Sequence, residues 1–297
     1  MLDFISYPIG TLLRIIYNTL AFKNYGISII LLTVLIKTLV LPLTIKQYRS
    51  TAKIGEVQPQ LQKIQEKYKN DPERLNQETM KLYQENNINP ASGCLPLLIQ
   101  MPILFSLYYV ISQPLKYMFR VPAETISKLF SLIPTGAVKA SSIHDLSIIN
   151  YFSQNTDKLY SINGLISKDQ LLNMNFFGIN LGAIPSLDSG KLFGSSPDIQ
   201  AWILLIVPIL AVATTYISMK YSMNQTPQQD NNLAQNSMQK SMSLVSPIMT
   251  GFISFSVPTG LGLYWIISNI LQIAQQIFMN KFIINKQPRE ALVQKSN

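Results

Sequence analysis

Residues 26–45 read GISIILLTVLIKTLVLPLTI, an apolar run broken by one charge, Lys37, and a few small polar residues. A helix rises 1.5 Å per residue, so a run of this length covers the roughly 30 Å hydrocarbon core of a bilayer. Three further stretches of that length, Cys94–Ser112, Ile199–Met219 and Gly260–Asn280, carry no charge at all. A fifth, Met238–Val257, is weaker, since it contains Lys240, Pro247 and Gly251. Only Pro258 and Thr259 separate it from the last run, a connection that suits an antiparallel helix pair. The expected fold is therefore all-α: a polytopic membrane protein with a five-helix transmembrane core.

The composition agrees. Of 297 residues, 47% are hydrophobic and 13% charged, with a mean hydropathy of +0.19. Soluble domains carry about a quarter charged residues, so an ordinary cytosolic globule is excluded. One cysteine, Cys94, forms no internal disulfide, and one histidine, His144, leaves no cluster for zinc. No cofactor or metal is expected. The net charge of +9 allows nucleic acid, anionic lipid or acidic polypeptide as partners, and its placement decides among them.

Lys and Arg are held in cytoplasmic segments by the positive-inside rule. With residues 46–93, 220–237 and 281–297 inside, the inner segments and the start of the fourth span hold 14 cations against nine outside. Seven of the nine lie in residues 113–198, a loop long enough to cross regardless of charge. The amino terminus is then outside and the carboxyl terminus, with its basic tail, cytoplasmic. Residues 1–25 lack the positive start of a signal peptide, and Ile5, Ile9, Leu12, Ile16 and Leu20 are spaced as on an amphipathic interfacial helix. A sixth span is the alternative.

Residues 46–93 have a different character. Ile54, Val57, Leu61, Ile64 and Tyr68 follow a 3-4-3-4 seam, and Asp71-Pro72 reads as an N-cap and first turn. Leu75, Thr79 and Leu82 then face back, which predicts an antiparallel helical hairpin ending near Asn89–Gly93. Its outer surface is Lys, Glu and Gln, consistent with either a solvated spacer or a docking module.

All 15 acids fall outside the five spans, so the paired carboxylates of an intramembrane protease and the acidic relays of proton-coupled carriers are missing. His144 lies in the external loop beside Asp145, away from any serine in the spans, and reads as a loop residue. Lys37 is about 16 Å from the outer end of its span. An ionised group there costs roughly 2.5–3.5 kcal/mol, so it faces protein or water unless it can snorkel, and from mid-span its stem is short for that. Thr33 and Thr44 share its face. In the last span Trp265, Asn269, Gln272 and Gln276 form a polar stripe bordered by Ser268 and Gln275, and Gln100 lies between Pro96 and Pro102. These amides either bond neighbouring helices or line one wet cavity with Lys37.

At these residues the chain resembles a known family. The run from Gly26 through Lys37 to Leu41-Pro42-Leu43-Thr44 and Gln47-Tyr48 looks like the first core span of the YidC-type membrane protein insertases. Gln58-Pro59, Asn89-Pro90, the decapeptide from Gly93 to Pro102, and Pro258-Thr259-Gly260-Leu261 with Leu263-Tyr264-Trp265 and Ser268-Asn269 continue the likeness. The resemblance, to short bacterial members, implies a five-helix core around a polar groove open to cytoplasm and lipid. Lys37 stands where the family has arginine, which keeps the charge and loses the bidentate fork. Residues 113–198 exceed the family's usual connection, although Ile143–Ser147 and Phe177–Gly182 look like fragments of it.

The resemblance implies a non-enzymatic insertase and chaperone in a bacterial plasma membrane. Its binding groove is Lys37, Thr33, Gln100, Tyr264, Trp265, Asn269 and Gln272. Its partners are nascent membrane proteins, the phospholipid bilayer, the ribosome and the secretory translocon, and not DNA. A small-solute anion carrier using Lys37, or a lipid-handling enzyme, are the rivals. The first lacks a visible inverted repeat and the second a catalytic group in the spans.

Overall fold

A computed structural model describes residues 2–89, 95–134, 137, 143–194, 198–223 and 245–284. Cys94, the Asn89–Gly93 terminator beyond Asn89, Lys240 and the basic tail with Lys286, Arg289 and Lys295 lie outside the described residues. The chain is predominantly helical. Two helices, α2 (Tyr25–Lys67) and α9 (Ile199–Met223), are long and apolar enough to cross a membrane, and shorter apolar helices cover Gln100–Ser112 and Val245–Ser254 (α10). Helix α11 (Thr259–Met279) has the length but carries the amide stripe.

Helix α2 continues without a break for 43 residues, through Pro42 and Pro59. Each proline removes one N–H from the ladder without ending the helix. The residues read as first span and first hairpin helix are thus one element. Helix α3 (Pro72–Glu85) begins as its sequence indicates: the Asp71 carboxylate accepts the Arg74 backbone N–H at 3.1 Å, with Pro72 at the first helical position.

Two compact units divide the described chain, with boundaries inside α2, α4 (Leu95–Ser112), α9, α10 and α11. The first comprises residues 1–36, 100–213 and 248–268. Its core joins Leu13, Ile16 and Tyr17 of α1 (Asp3–Thr19), Ile29 and Leu32 of α2, and Leu107, Val110 and Ile111 of α4. It also takes in Leu146, Ile148, Ile149 and Phe152 of α7 (His144–Gln154). The described residues of 113–198 are therefore a packed part of this unit: α5 (Pro114–Tyr117), α6 (Ala123–Ser131), α7, two short 3-10 turns, a two-stranded hairpin β1 (Asn175–Phe176) and β2 (Ile179–Asn180), and α8 (Ser189–Phe193).

The inward face of α1 is Ser6, Gly10, Leu13, Ile16 and Tyr17. Of the residues expected on one apolar face, Ile16 is buried and Leu20 exposed. Gly10 explains the rotation, because its missing Cβ lets the helix approach the Tyr117 backbone of α5. Phe4 and Ile15 face outward, so apolar side chains occupy both sides of α1.

The second unit comprises residues 37–99, 214–247 and 269–297. Val57 and Leu61 of α2 close over Leu82 of α3 and Ile88 beyond it, with Ile54, Ile64 and Tyr83 packed around them.

Candidate functional site

Of the residues expected to line a groove, Thr33, Gln100, Tyr264 and Trp265 belong to the first unit and Lys37, Asn269 and Gln272 to the second.

In the first unit, Gln100 on α4 and Tyr264 on α11 meet, the amide Nε2 donating to the phenol oxygen at 3.1 Å. Tyr264 is buried and Trp265 half-buried beside it. Two devices hold this start of α11 in place. The Thr259 backbone N–H and hydroxyl both donate to the Ala183 carbonyl, at 2.8 and 2.6 Å, and the Gly260 N–H donates to the Leu181 carbonyl at 2.8 Å. Thr33 is buried, but its hydroxyl donates to its own helix, at the Ile29 carbonyl 2.6 Å away. Threonine in a helix often back-bonds in this way, which leaves an acceptor lone pair rather than a donor for any ligand.

In the second unit, Lys37 is half-buried and its ammonium makes no salt bridge among the described residues. Its carbonyl is approached by Gln275 Nε2 at 3.5 Å, close to the point where Pro42 thins the α2 ladder. Asn269 Nδ2 donates to Thr215 Oγ1 at 2.9 Å and to Thr214 Oγ1 at 3.2 Å, tying α11 to α9. Gln272 is half-buried. Gln276 is fully buried, with neither amide atom in a hydrogen bond of standard geometry among the described residues, although the Tyr48 hydroxyl stands beside it. A buried amide left in that condition loses the full value of its hydration, so water or a polar chain is the natural complement.

Thr214, Thr215 and Tyr48 are the participants that reading the sequence missed. The signal for the threonines was there, as adjacent hydroxyls in a span otherwise rich in aliphatic residues. Tyr48 gave none, since its role depends on where α11 lies.

The His144-Asp145 dipeptide separates in space. His144 stacks on Phe130 with ring centroids 3.9 Å apart. Asp145 turns inward and accepts the Lys116 N–H at 3.1 Å. Burial pushes its carboxyl up to about 6, against the pull of backbone N–H groups of Lys116 and Leu115. The carboxylate thus anchors α5 to α7. No group of three or more His, Cys, Asp or Glu is placed to hold a metal among the described residues.

The chain is similar to known proteins along most of its length. Residues 16–287 match the family described as 60Kd inner membrane protein. A Clostridium perfringens protein named membrane protein insertase YidC is 34% identical over 267 residues, covering 90% of this chain and 83% of that one. One of the same name from Clostridium tetani is 34% identical over 87% of this chain and 82% of its own length. Another from Fusobacterium nucleatum is 30% identical over 87% of each.

Proposed function

The chain belongs to the 60Kd inner membrane protein family, and from that premise we propose that it is a membrane protein insertase working through a polar groove. Five spans, residues 26–45, 94–112, 199–219, 238–257 and 260–280, enclose the groove. Residues 46–93 form a helical hairpin on the cytoplasmic side, and the amino terminus lies outside.

Half-burial of Lys37 in an apolar helix, with no acidic partner among the described residues, is the observation that carries this reading. A cation so placed attracts a negative group that the protein does not itself supply there. The polar or acidic amino-terminal part of a nascent segment fills that role from the cytoplasm. Asn269, Gln272 and Gln275 offer neutral hydrogen-bonding groups to its backbone, while its apolar part moves out into lipid. Hydrophobic transfer of the client drives the step, assisted by its charge in the membrane potential, so no nucleotide or covalent chemistry is required. The ribosome and the secretory translocon are the partners that deliver and share clients.

A photo-crosslinking amino acid at Gln272, with ribosome-held nascent chains of increasing length, tests this. Crosslinks should appear when the client's apolar segment leaves the ribosome and vanish on its release into lipid. Crosslinks equally strong from the exposed Tyr160, far along the chain in the first unit, would show adventitious contact and overturn the reading.

A further inference from the structure

Two phenylalanine side chains stand almost wholly outside the folded chain: Phe22 is 90% exposed and Phe177 91%, more than any other large apolar residue described. Both sit at backbone positions that disfavour them. Phe22 has φ 51°, its neighbour Lys23 55°, and Phe177 50°. Bulky side chains rarely adopt this left-handed region, where glycine and asparagine are at home. Phe177 and Gly178, the latter at φ 80°, are the two central residues of the tight turn joining β1 to β2. With both φ values positive, that turn prefers asparagine before the glycine. Neither turn therefore selects phenylalanine for its backbone. Apart from the edge contact between Phe176 and Phe177, no ring contact of either side chain holds it to the fold among the described residues.

The two turns are fastened to each other. Asn24 Nδ2 donates to the Asn175 carbonyl and the Tyr25 N–H to the Asn173 carbonyl, each at 3.1 Å. The Phe176 ring packs where a Cβ on Gly26 would lie, and Lys23 pairs with Asp169 at 3.0 Å. Phe22 thus stands four residues ahead of the apolar run of α2. The chain just beyond β2 is bound to the first turn of α11 through the bonds to Thr259 and Gly260. A second aromatic pair, Phe193 against Trp202 with centroids 5.3 Å apart, marks the start of α9. All of these lie in the first unit.

We propose that Phe22 and Phe177 are interfacial anchors, which insert into the boundary between headgroups and acyl chains at the membrane face where α2 and α11 begin. The proposal rests on the reading that these helices cross the bilayer. Aromatic side chains concentrate at that depth, where an apolar ring meets lipid tails while the adjacent backbone and Lys23 stay among headgroups. Two isolated tips on tight turns, one of them next to the exposed Lys23–Asp169 ion pair, suit a fluid lipid surface better than the continuous apolar face a folded partner covers. The first unit then leans on the membrane at two points fixed by stiff turns, and through them orients the starts of α2 and α11.

Single cysteines at Phe22 and Phe177, in a chain with Cys94→Ser, carry an environment-sensitive fluorophore after reconstitution into phosphatidylcholine–phosphatidylglycerol vesicles. Lipid spin-labelled near the headgroup should quench both several-fold more than it quenches a label at Tyr160, while aqueous iodide should quench Tyr160 alone. Iodide access at 22 and 177 equal to that at 160 overturns the proposal, as does protection from both quenchers, which indicates contact with protein. A label at Leu39, exposed on the apolar run of α2, separates failure of the anchors from failure of the spans. If Leu39 is quenched by lipid while 22 and 177 are aqueous, only the anchors fail. If Leu39 is also aqueous, the membrane-spanning reading fails with them.

Discussion

Gln100 donates its side-chain amide to the Tyr264 hydroxyl at 3.1 Å, joining α4 to α11 inside the first unit. The contact is neutral and links two residues whose polarity marks them out in apolar helices, so its energetic weight bears on whether such amides are structural or functional. Intramembrane hydrogen bonds of this kind contribute about 1 kcal/mol or less. Tyr264→Phe and Gln100→Leu should each lower stability by about that amount, and the double variant should cost little more than either alone. A double-mutant cycle by unfolding in bicelles measures the coupling. Additive losses would show that the two residues act independently.

The seam between α2 and α3 depends on a small apolar cluster. Val57, Leu61, Leu82 and Ile88 are its buried members. Leu61→Ala should destabilise it by roughly 2–4 kcal/mol and Leu61→Asp should release α3 altogether. Lys67, exposed and lying 5.2 Å from the Tyr68 ring, should tolerate alanine. Hydrogen exchange across residues 72–85, paired with an insertion assay, reads both. A seam variant with α3 released and insertion intact would make the pair a spacer.

Asp145 gives residues 113–198 a pH response. Its carboxyl ordinarily titrates near 3.8 and is raised to about 6 in the fold by burial. The folded chain therefore holds the proton more tightly than the unfolded chain. The associated stability is fully present below the ordinary value and is lost as pH rises through about 6. Opening of α5 and α7, followed by hydrogen exchange corrected for intrinsic rates, should be rarer at pH 4.5 than at pH 7. Asp145→Asn keeps an acceptor for the Lys116 N–H and should flatten that dependence. A slope unchanged in the variant would assign the titration to another group.

Much of the architecture is legible in the sequence, for identifiable reasons. Asp71-Pro72 announces the start of α3 because a cap and a first-turn proline are local signals, and the capping bond is present. Val57, Leu61 and Leu82 are readable because a seam repeats. Ile88 is not, since it joins the cluster from beyond the helix. The continuity of α2 past residue 45 is hidden by a change from apolar to polar side chains, which alters what surrounds a helix without ending it. The burial of Leu146, Ile148, Ile149 and Phe152 is hidden, because an 11-residue helix buried on several sides shows little periodicity. In the stripe of α11, spacing cannot assign partners. Asn269 bonds the α9 threonines, and Gln276 is buried beside Tyr48 with neither amide atom in a hydrogen bond of standard geometry among the described residues.

Attraction between Lys37 and negative charge on the incoming client is the centre of the proposed mechanism, and it sets an ordered series of outcomes. Lys37→Arg should preserve activity, since charge matters and a bidentate fork does not. Lys37→Glu should fail, and Lys37→Gln should fold while inserting acidic clients poorly. The direct measurement is insertion of two matched clients, one with an aspartate in its amino-terminal segment and one without, in cells making Lys37→Ala and the parent chain at equal levels. Charge attraction predicts that Lys37→Ala loses most insertion of the acidic client and largely spares the neutral one. Equal impairment of both would contradict it and leave Lys37 with a structural or hydrating role.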